Sequence, residues 1–161
     1  MKKFLIQTIL LLVTISAAIF FYQTNAQIPN LPFLPQMPVS KKIQINEVIL
    51  NVEVADTQEK RSKGLGGKLS LASNEGMLFI FPEASKHPFW MKGLTFPLDF
   101  VWIREDKVVD LLPDIQPPSP GQTDDSLPIY QSKEDVDKVL EVSAGTIQRL
   151  NIKVGDTVKT I

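Results

Sequence analysis

The chain has a single histidine, His87, so any chemistry that needs imidazole must pass through it. A metal site built on several histidines is therefore excluded, and a Ser-His-Asp arrangement would need His87 as its base. Ser85 lies two residues away, but strand neighbours at that spacing point the same way without making a triad, and no G-x-S-x-G turn exists to present a nucleophile. The bland reading of His87 is a rim residue bonded to a backbone carbonyl. The next residues, Phe89-Trp90-Met91-Lys92, set large apolar groups beside a cation. Extended alternation puts Phe89 and Met91 on one face, with His87 if pairing continues through Pro88, and Trp90 with Lys92 on the other. One face belongs to the core. The other could line a groove in which Trp90 stacks on a ligand and Lys92 meets its charge, or Trp90 could pack beneath a loop.

Two carboxylates and one guanidinium complete the set. Asp99 opens a very apolar stretch, where it would serve as a general acid or base, cap backbone N–H groups, or pair with Arg61 or Lys92. Glu75 stands at a turn before an apolar run. Glu75, His87 and Asp99 are the catalytic candidates, and Arg61, His87, Trp90, Lys92 and Asp99 the ligand-binding ones. Gly64-Leu-Gly-Gly-Lys68-Leu-Ser70 has the wrong spacing for a phosphate loop and reads as a turn. Asp114, Asp124 and Asp125 lack the spacing of a calcium loop. The absence of Cys excludes a disulfide scaffold, a thiolate nucleophile and a cysteine zinc site. No metal or cofactor is expected.

The elements that would position these residues follow from periodicity. Alternation runs through Ile43, Ile45, Val48, Leu50, Val52 and Val54, with a turn at Asn46-Glu47. Asp56 as cap with Glu59 three residues on starts a short helix, which Gly64, Gly66 and Gly67 end. Residues 76–81, 89–92, 99–104 and 107–112 read as strands, the last two joined by a turn at Glu105-Asp106. A proline-rich loop spans 113–128. A helical turn capped by Ser132 is expected over 132–138, then a strand over 138–142, a short helix over 145–150 and a closing strand over 154–159. The fold class is mainly β (α+β): a compact barrel-like single domain of short strands with one to three short helices.

Before the domain stand two segments of different character. Lys2 and Lys3 precede Phe4–Tyr22, a run with no charge, Gly or Pro. Its layout fits a signal peptide cleaved near Ala26 or an uncleaved membrane anchor with the domain outside the cytoplasm. Residues 1–26 form this segment, 27–41 a spacer and 42–161 the domain. Prolines at 29, 32, 35 and 38 recur every third residue, the period of polyproline II, so the spacer would be semi-rigid. From Lys41 onward there are 15 basic and 18 acidic residues, a balance of 15 − 18 = −3 that offers no basic field for nucleic acid.

Several motifs occur in a fixed order: Val54-Ala-Asp-Thr, Arg61-Ser-Lys-Gly64-Leu65, Gly76-Met-Leu-Phe-Ile-Phe-Pro82, His87-Pro-Phe-Trp-Met-Lys92, Pro97-Leu-Asp-Phe100, Leu140-Glu-Val-Ser-Ala-Gly145 and Gly155-Asp-Thr-Val158. Together they make residues 45–160 resemble the family called domain of unknown function 192. The resemblance implies a β-rich fold often sent to a membrane or periplasm, and no agreed activity, cofactor or catalytic set. The chain departs from the family pattern in two places. Leu127, Pro128 and Ile129 stand where many relatives have a Cys, and Gly93-Leu94 where many have Asn-Thr. The residues favour an extracytoplasmic module that binds a ligand or protein. The alternatives are a small hydrolase or lyase acting through Asp99 and His87, and a structural partner in an envelope complex.

Overall fold

The computed structural model describes residues 2–23 and 40–161, in two units, Met1–Met37 and Pro38–Ile161. In the first unit, helix α1 spans Lys2–Gln23. Its described apolar side chains, among them Ile6, Ile9, Leu10, Leu11, Leu12, Val13, Ile15, Ile19 and Phe20, are all exposed. Taken over the described residues, no helix is long and apolar enough to cross a membrane. The expected cleavage position near Ala26 and the proline repeat lie outside the described residues.

The second unit is a seven-stranded sheet. Its strands are β1 (Ser40–Ile45), β2 (Val48–Ala55), β3 (Glu75–Ser85), β4 (Leu98–Arg104), β5 (Lys107–Ile115), β6 (Val136–Ser143) and β7 (Val158–Thr160). They lie in the order β5-β4-β6-β3-β2-β1-β7. Every pairing is antiparallel except β2 with β3, which are joined through the short helix α2 (Gln58–Lys63). A parallel pair cannot be closed by a tight turn, so the crossover is obligatory and leaves α2 beside the sheet. The sheet curls into a half-barrel whose edge strands are stitched at one end. There Val108 N–H donates to Asp156 O at 2.9 Å, Gly155 N–H to Val108 O at 2.8 Å and Val158 N–H to Asp106 O at 2.8 Å. The barrel-like, mainly β architecture with few short helices agrees with the sequence.

Both faces of the sheet are covered. On β4, Leu98, Phe100 and Trp102 point to one side with Met77, Phe79, Phe89 and Met91. Val101 and Ile103 point to the other, with Ile43, Leu50, Leu140 and Val142, where Ile147 of helix α3 (Thr146–Arg149) closes the barrel interior. A strand buried on both faces reads as continuous apolar sequence, which is why the β4 run hides its alternation. Gly76 shows how tightly β3 meets β6. A Cβ there would lie 2.8 Å from the backbone oxygen of Glu141 and 3.1 Å from a Val142 methyl. Gly76→Ala is therefore expected to destabilise the domain by about 1–3 kcal/mol through overpacking, read as a lower urea midpoint with unchanged slope.

Four expectations are corrected. Residues 89–92 form no strand: Phe89 makes one antiparallel bridge, to Tyr130, because Pro88 has no N–H to extend the ladder and Gly93 turns the chain at φ 71°. Residues 132–138 form no helical turn. Ser132 Oγ accepts from Glu134 N–H at 3.1 Å, a local turn, and the chain enters β6 at Val136. The cap of α2 is Thr57, whose Oγ1 accepts from Lys60 N–H at 3.2 Å, whereas Asp56 pairs with the Lys60 ammonium at 2.8 Å. The last strand is short, since the turn through Gly155 (φ 96°) occupies the expected first half.

Candidate functional site

A cleft of about 790 Å³ opens on the strap side of the sheet, within the size range of small-molecule sites. One wall is α2 and the glycine turn after it, the other is the strap 87–94, and the floor is Phe79, Phe81 and Glu141. The α2 wall is fixed by Arg61. Its Nη1 donates to Asp56 O at 2.8 Å and Ile80 O at 2.9 Å, and the guanidinium carbon sits 5.2 Å from the centre of the Phe81 ring. Arg61 thus clamps α2 to β3. It also lines the cleft. The walls meet where Gly66 and Gly67 face Lys92 and Gly93. A Cβ on Gly66 would come 2.9 Å from Lys63 O, so the glycine turn is a packing requirement.

The strap is held by Phe89. Its N–H donates to Tyr130 O at 2.9 Å and its carbonyl accepts from Tyr130 N–H at 2.8 Å. Its ring meets Phe79, Phe100 and Trp102 edge-to-face, with centroids 5.0, 5.7 and 5.4 Å away. Such offset geometry is the favourable one for aromatic pairs. With Phe89 and Met91 turned inward, Trp90 is turned out and remains 51% exposed at the cleft. Lys92 also lines the cleft, and its ammonium pairs with Asp124 of the long loop at 2.6 Å.

His87 stacks on Phe81, with centroids 3.5 Å apart and rings 9° from parallel. Its Nε2 is 3.2 Å from Glu83 O, a geometry in which Nε2–H donates to that carbonyl. Ser85 Oγ is 3.3 Å from the ring nitrogens, yet no carboxylate orients the imidazole among the described contacts. The other two acid–base candidates lie elsewhere. Asp99 is fully buried on the opposite face of β4, where Oδ1 accepts from Asp114 N–H and Oδ2 from Ile147 N–H, both at 2.8 Å. Glu75 closes a turn by accepting from Ala72 N–H at 3.2 Å. Of Glu75, His87 and Asp99, only His87 lines the cleft, so the structure does not assemble them into one acid–base set. Asp114, Asp124 and Asp125 do not converge either: no group of three potential metal ligands occurs among the described residues.

The residue that sequence reasoning passed over is Glu141. It sits on β6 between Met77 of β3 and Phe100 of β4, directed to the strap side and 3% exposed. Its Oε2 is buried without a hydrogen-bond partner. Burial pushes its carboxyl up from 4.5 to about 8, so it is mostly a neutral acid at pH 7. The available signal was a lone charge inside the apolar run Val139-Leu-Glu-Val142. Among the described residues, no group lies within hydrogen-bond reach of Oε2.

Comparison with known proteins agrees with this architecture. The family model DUF192, described as an uncharacterized ACR, matches residues 40–160. A crystal structure from Sinorhizobium meliloti 1021, provisionally described as a transcription regulator, aligns with TM-score 0.69 and 27% identity over 79% of this chain and 98% of its own. A protein of unknown function from Novosphingobium aromaticivorans DSM 12444 aligns with TM-score 0.64 and 26% identity over 76% of this chain and 84% of its own. No curated protein matches the chain. With the family model covering most of its length, the chain belongs to the domain of unknown function 192 family.

Proposed function

We propose that this chain is an extracytoplasmic, membrane-tethered module that binds a small ligand in the cleft between α2 and the strap. The observation that carries the reading is Glu141: a buried carboxyl oxygen without a partner among the described residues, on the floor of a cleft that Phe81, Phe89 and Trp90 also line. A buried polar group left unsatisfied costs about 1–3 kcal/mol. A fold that keeps such a group beside an open aromatic cleft has a place ready for a ligand atom.

The tether reading is supported by α1. Twenty-two residues at about 1.5 Å each reach roughly 33 Å, against a hydrocarbon core of about 30 Å. Thr14 and Ser16 donate their hydroxyls to the carbonyls of Leu11 and Leu12 at 2.8 Å, so neither presents an unsatisfied donor to lipid. Over the described residues no helix is long and apolar enough to cross a membrane, so the tether reading rests on the uncharged run Phe4–Tyr22 in the sequence. Lys2 and Lys3 favour an inside N-terminus and an outside domain.

The test is an NMR titration of the full chain in detergent micelles with benzyl alcohol, a neutral aromatic probe. Amide shifts are expected to cluster on residues 61–67, 87–94 and 141. Trp90→Ala should weaken binding about tenfold, the loss of one aromatic contact, without lowering the unfolding midpoint. Shifts scattered over the surface, or equal binding by Trp90→Ala, would overturn the cleft as a site.

A further inference from the structure

We infer that the ligand is an anion with an apolar body, placing a neutral hydrogen-bond acceptor against Glu141 and its negative group at the rim near Lys63 and Lys92. The inference rests on the cleft being a binding site and names the ligand class that its chemistry selects. Glu141 lies at the floor, 3% exposed, whereas Lys63 and Lys92 are exposed at the mouth. Phe79, Phe81 and Phe89 line the same cleft and give it an apolar body. Apart from Glu141 and His87, the acidic or basic side chains on the lining are all basic: Arg61, Lys63 and Lys92. A ligand with a negative outer end and an apolar middle meets complementary groups along its whole length.

Two details favour an anion over a cation. Lys92 already holds a carboxylate, that of Asp124, in a solvent-exposed pair. Such pairs are weak and screened, so Asp124 is readily displaced and marks where a ligand's negative group would sit. Lys63 has no ion-pair partner among the described residues. At the floor, the groups facing Glu141 are Met77 and Phe79 from β3 and Phe100 from β4, all uncharged. From α2 and its turn come Arg61 and Lys63, and from the strap His87 and Lys92. None of them pairs with Oε2. Burial keeps Glu141 protonated at neutral pH, so it offers an O–H donor and calls for an acceptor such as a carbonyl or ether oxygen.

The experiment uses the full chain in detergent micelles and 4-acetylbenzoate, which carries an acceptor and a carboxylate at opposite ends. Benzoate and 4-acetylbenzylammonium serve as comparisons, and affinity is read by NMR titration from pH 6 to 9.5. The anion is expected to bind about tenfold more tightly than benzoate, with affinity level up to about pH 8 and then falling up to tenfold per unit as Glu141 ionises. Glu141→Gln keeps a donor, and should keep the affinity within about threefold while removing the fall. Glu141→Leu should bind 4-acetylbenzoate no better than benzoate. Asp124→Asn, which removes the competing carboxylate, should raise the affinity about threefold. Tighter binding of the ammonium probe, strengthening as the pH rises, would overturn the anionic assignment and leave the cleft a site. Anion binding with no dependence on Glu141 or pH would overturn the placement of the acceptor against Glu141. If none of these probes nor benzyl alcohol binds, the cleft reading itself fails.

Discussion

Raising the pH from 5 to 8 is expected to remove roughly 3–4 kcal/mol of folding stability through Glu141 alone. Its carboxyl titrates at about 8 in the fold and at 4.5 in the reference state of an exposed chain. Between those values the native state holds a proton that the unfolded state has released. Stability from this group is therefore full below about 4.5, declines across the interval and is lost above about 8. Asp56 and Asp156 act with the opposite sign. The hydrogen bond from Lys60 holds Asp56 below its usual range, and the backbone N–H of Lys153, then Asn46, does so for Asp156. Their contributions are present above the ordinary carboxylate value and fade as the pH falls through the lowered ones, so they leave the interval from 5 to 8 to Glu141. Urea unfolding at pH 5, 6.5 and 8 at fixed ionic strength measures the slope. Glu141→Gln cannot ionise, so its curve should be flatter by that amount and cross the parent's between the extremes. Parallel curves for the two proteins would mean that Glu141 is not held protonated by the fold.

The first two strands were legible because their residues alternate between buried and more exposed positions. Ile43 and Ile45, then Leu50, Val52 and Val54, announce β1 and β2, and the phase slip at Asn46 is a two-residue turn with Asn46 at φ 55°. Glu105, at φ 56°, marks the second such turn. What failed was local sequence forced into an unusual role by tertiary contacts. Phe89 to Lys92 alternates like a strand, but its partner is an irregular loop that supplies only Tyr130, so alternation survives without a ladder. Ser132 has the chemistry of a helix cap, yet its oxygen serves a turn that feeds β6.

The site was legible by halves. A segment that mixes aromatic residues with a cation could be singled out from composition, and Trp90, Lys92, His87 and Arg61 do line one cleft. Glu141 could not be weighed in the same way. Its significance depends on burial between β3 and β4, two strands distant in sequence from β6, and no local pattern records which strands will flank it. The same limit left Asp99 open between an acid–base role and the capping of backbone N–H groups, and the structure shows the capping. Opening an apolar strand, it has the appearance of an active-site acid. Which side of β4 it faces is decided by the phase of that strand against strap and barrel interior, and a strand buried on both sides does not reveal that phase.

Asp99→Ala is accordingly expected to destabilise the domain by about 3–5 kcal/mol. The register between β4 and β5 slips between Leu98 and Phe100, pairing them with Ile115 and Leu112 and leaving two β5 residues opposite Asp99. One of these, Asp114, takes φ 55°, and its N–H is received by Asp99 Oδ1 at 2.8 Å. The second oxygen receives Ile147 N–H at 2.8 Å, at the start of α3. One carboxylate thus satisfies the bulge in the sheet edge and the entry of the helix that closes the barrel. Alanine would leave two N–H groups without their acceptor, and each such loss costs about 1–3 kcal/mol. Asp99→Asn retains one acceptor oxygen but turns an amide donor toward the other N–H, so it should recover only about half of the loss. Urea unfolding of both variants gives these numbers, and a loss below about 1 kcal/mol for alanine would refute the bridging role. Benzyl alcohol binding separates structure from site. Asp99 faces away from the cleft, so Asp99→Asn, studied where it remains folded, should bind the probe as the parent does, whereas a ligand-contacting Asp99 would lose affinity in that variant as well.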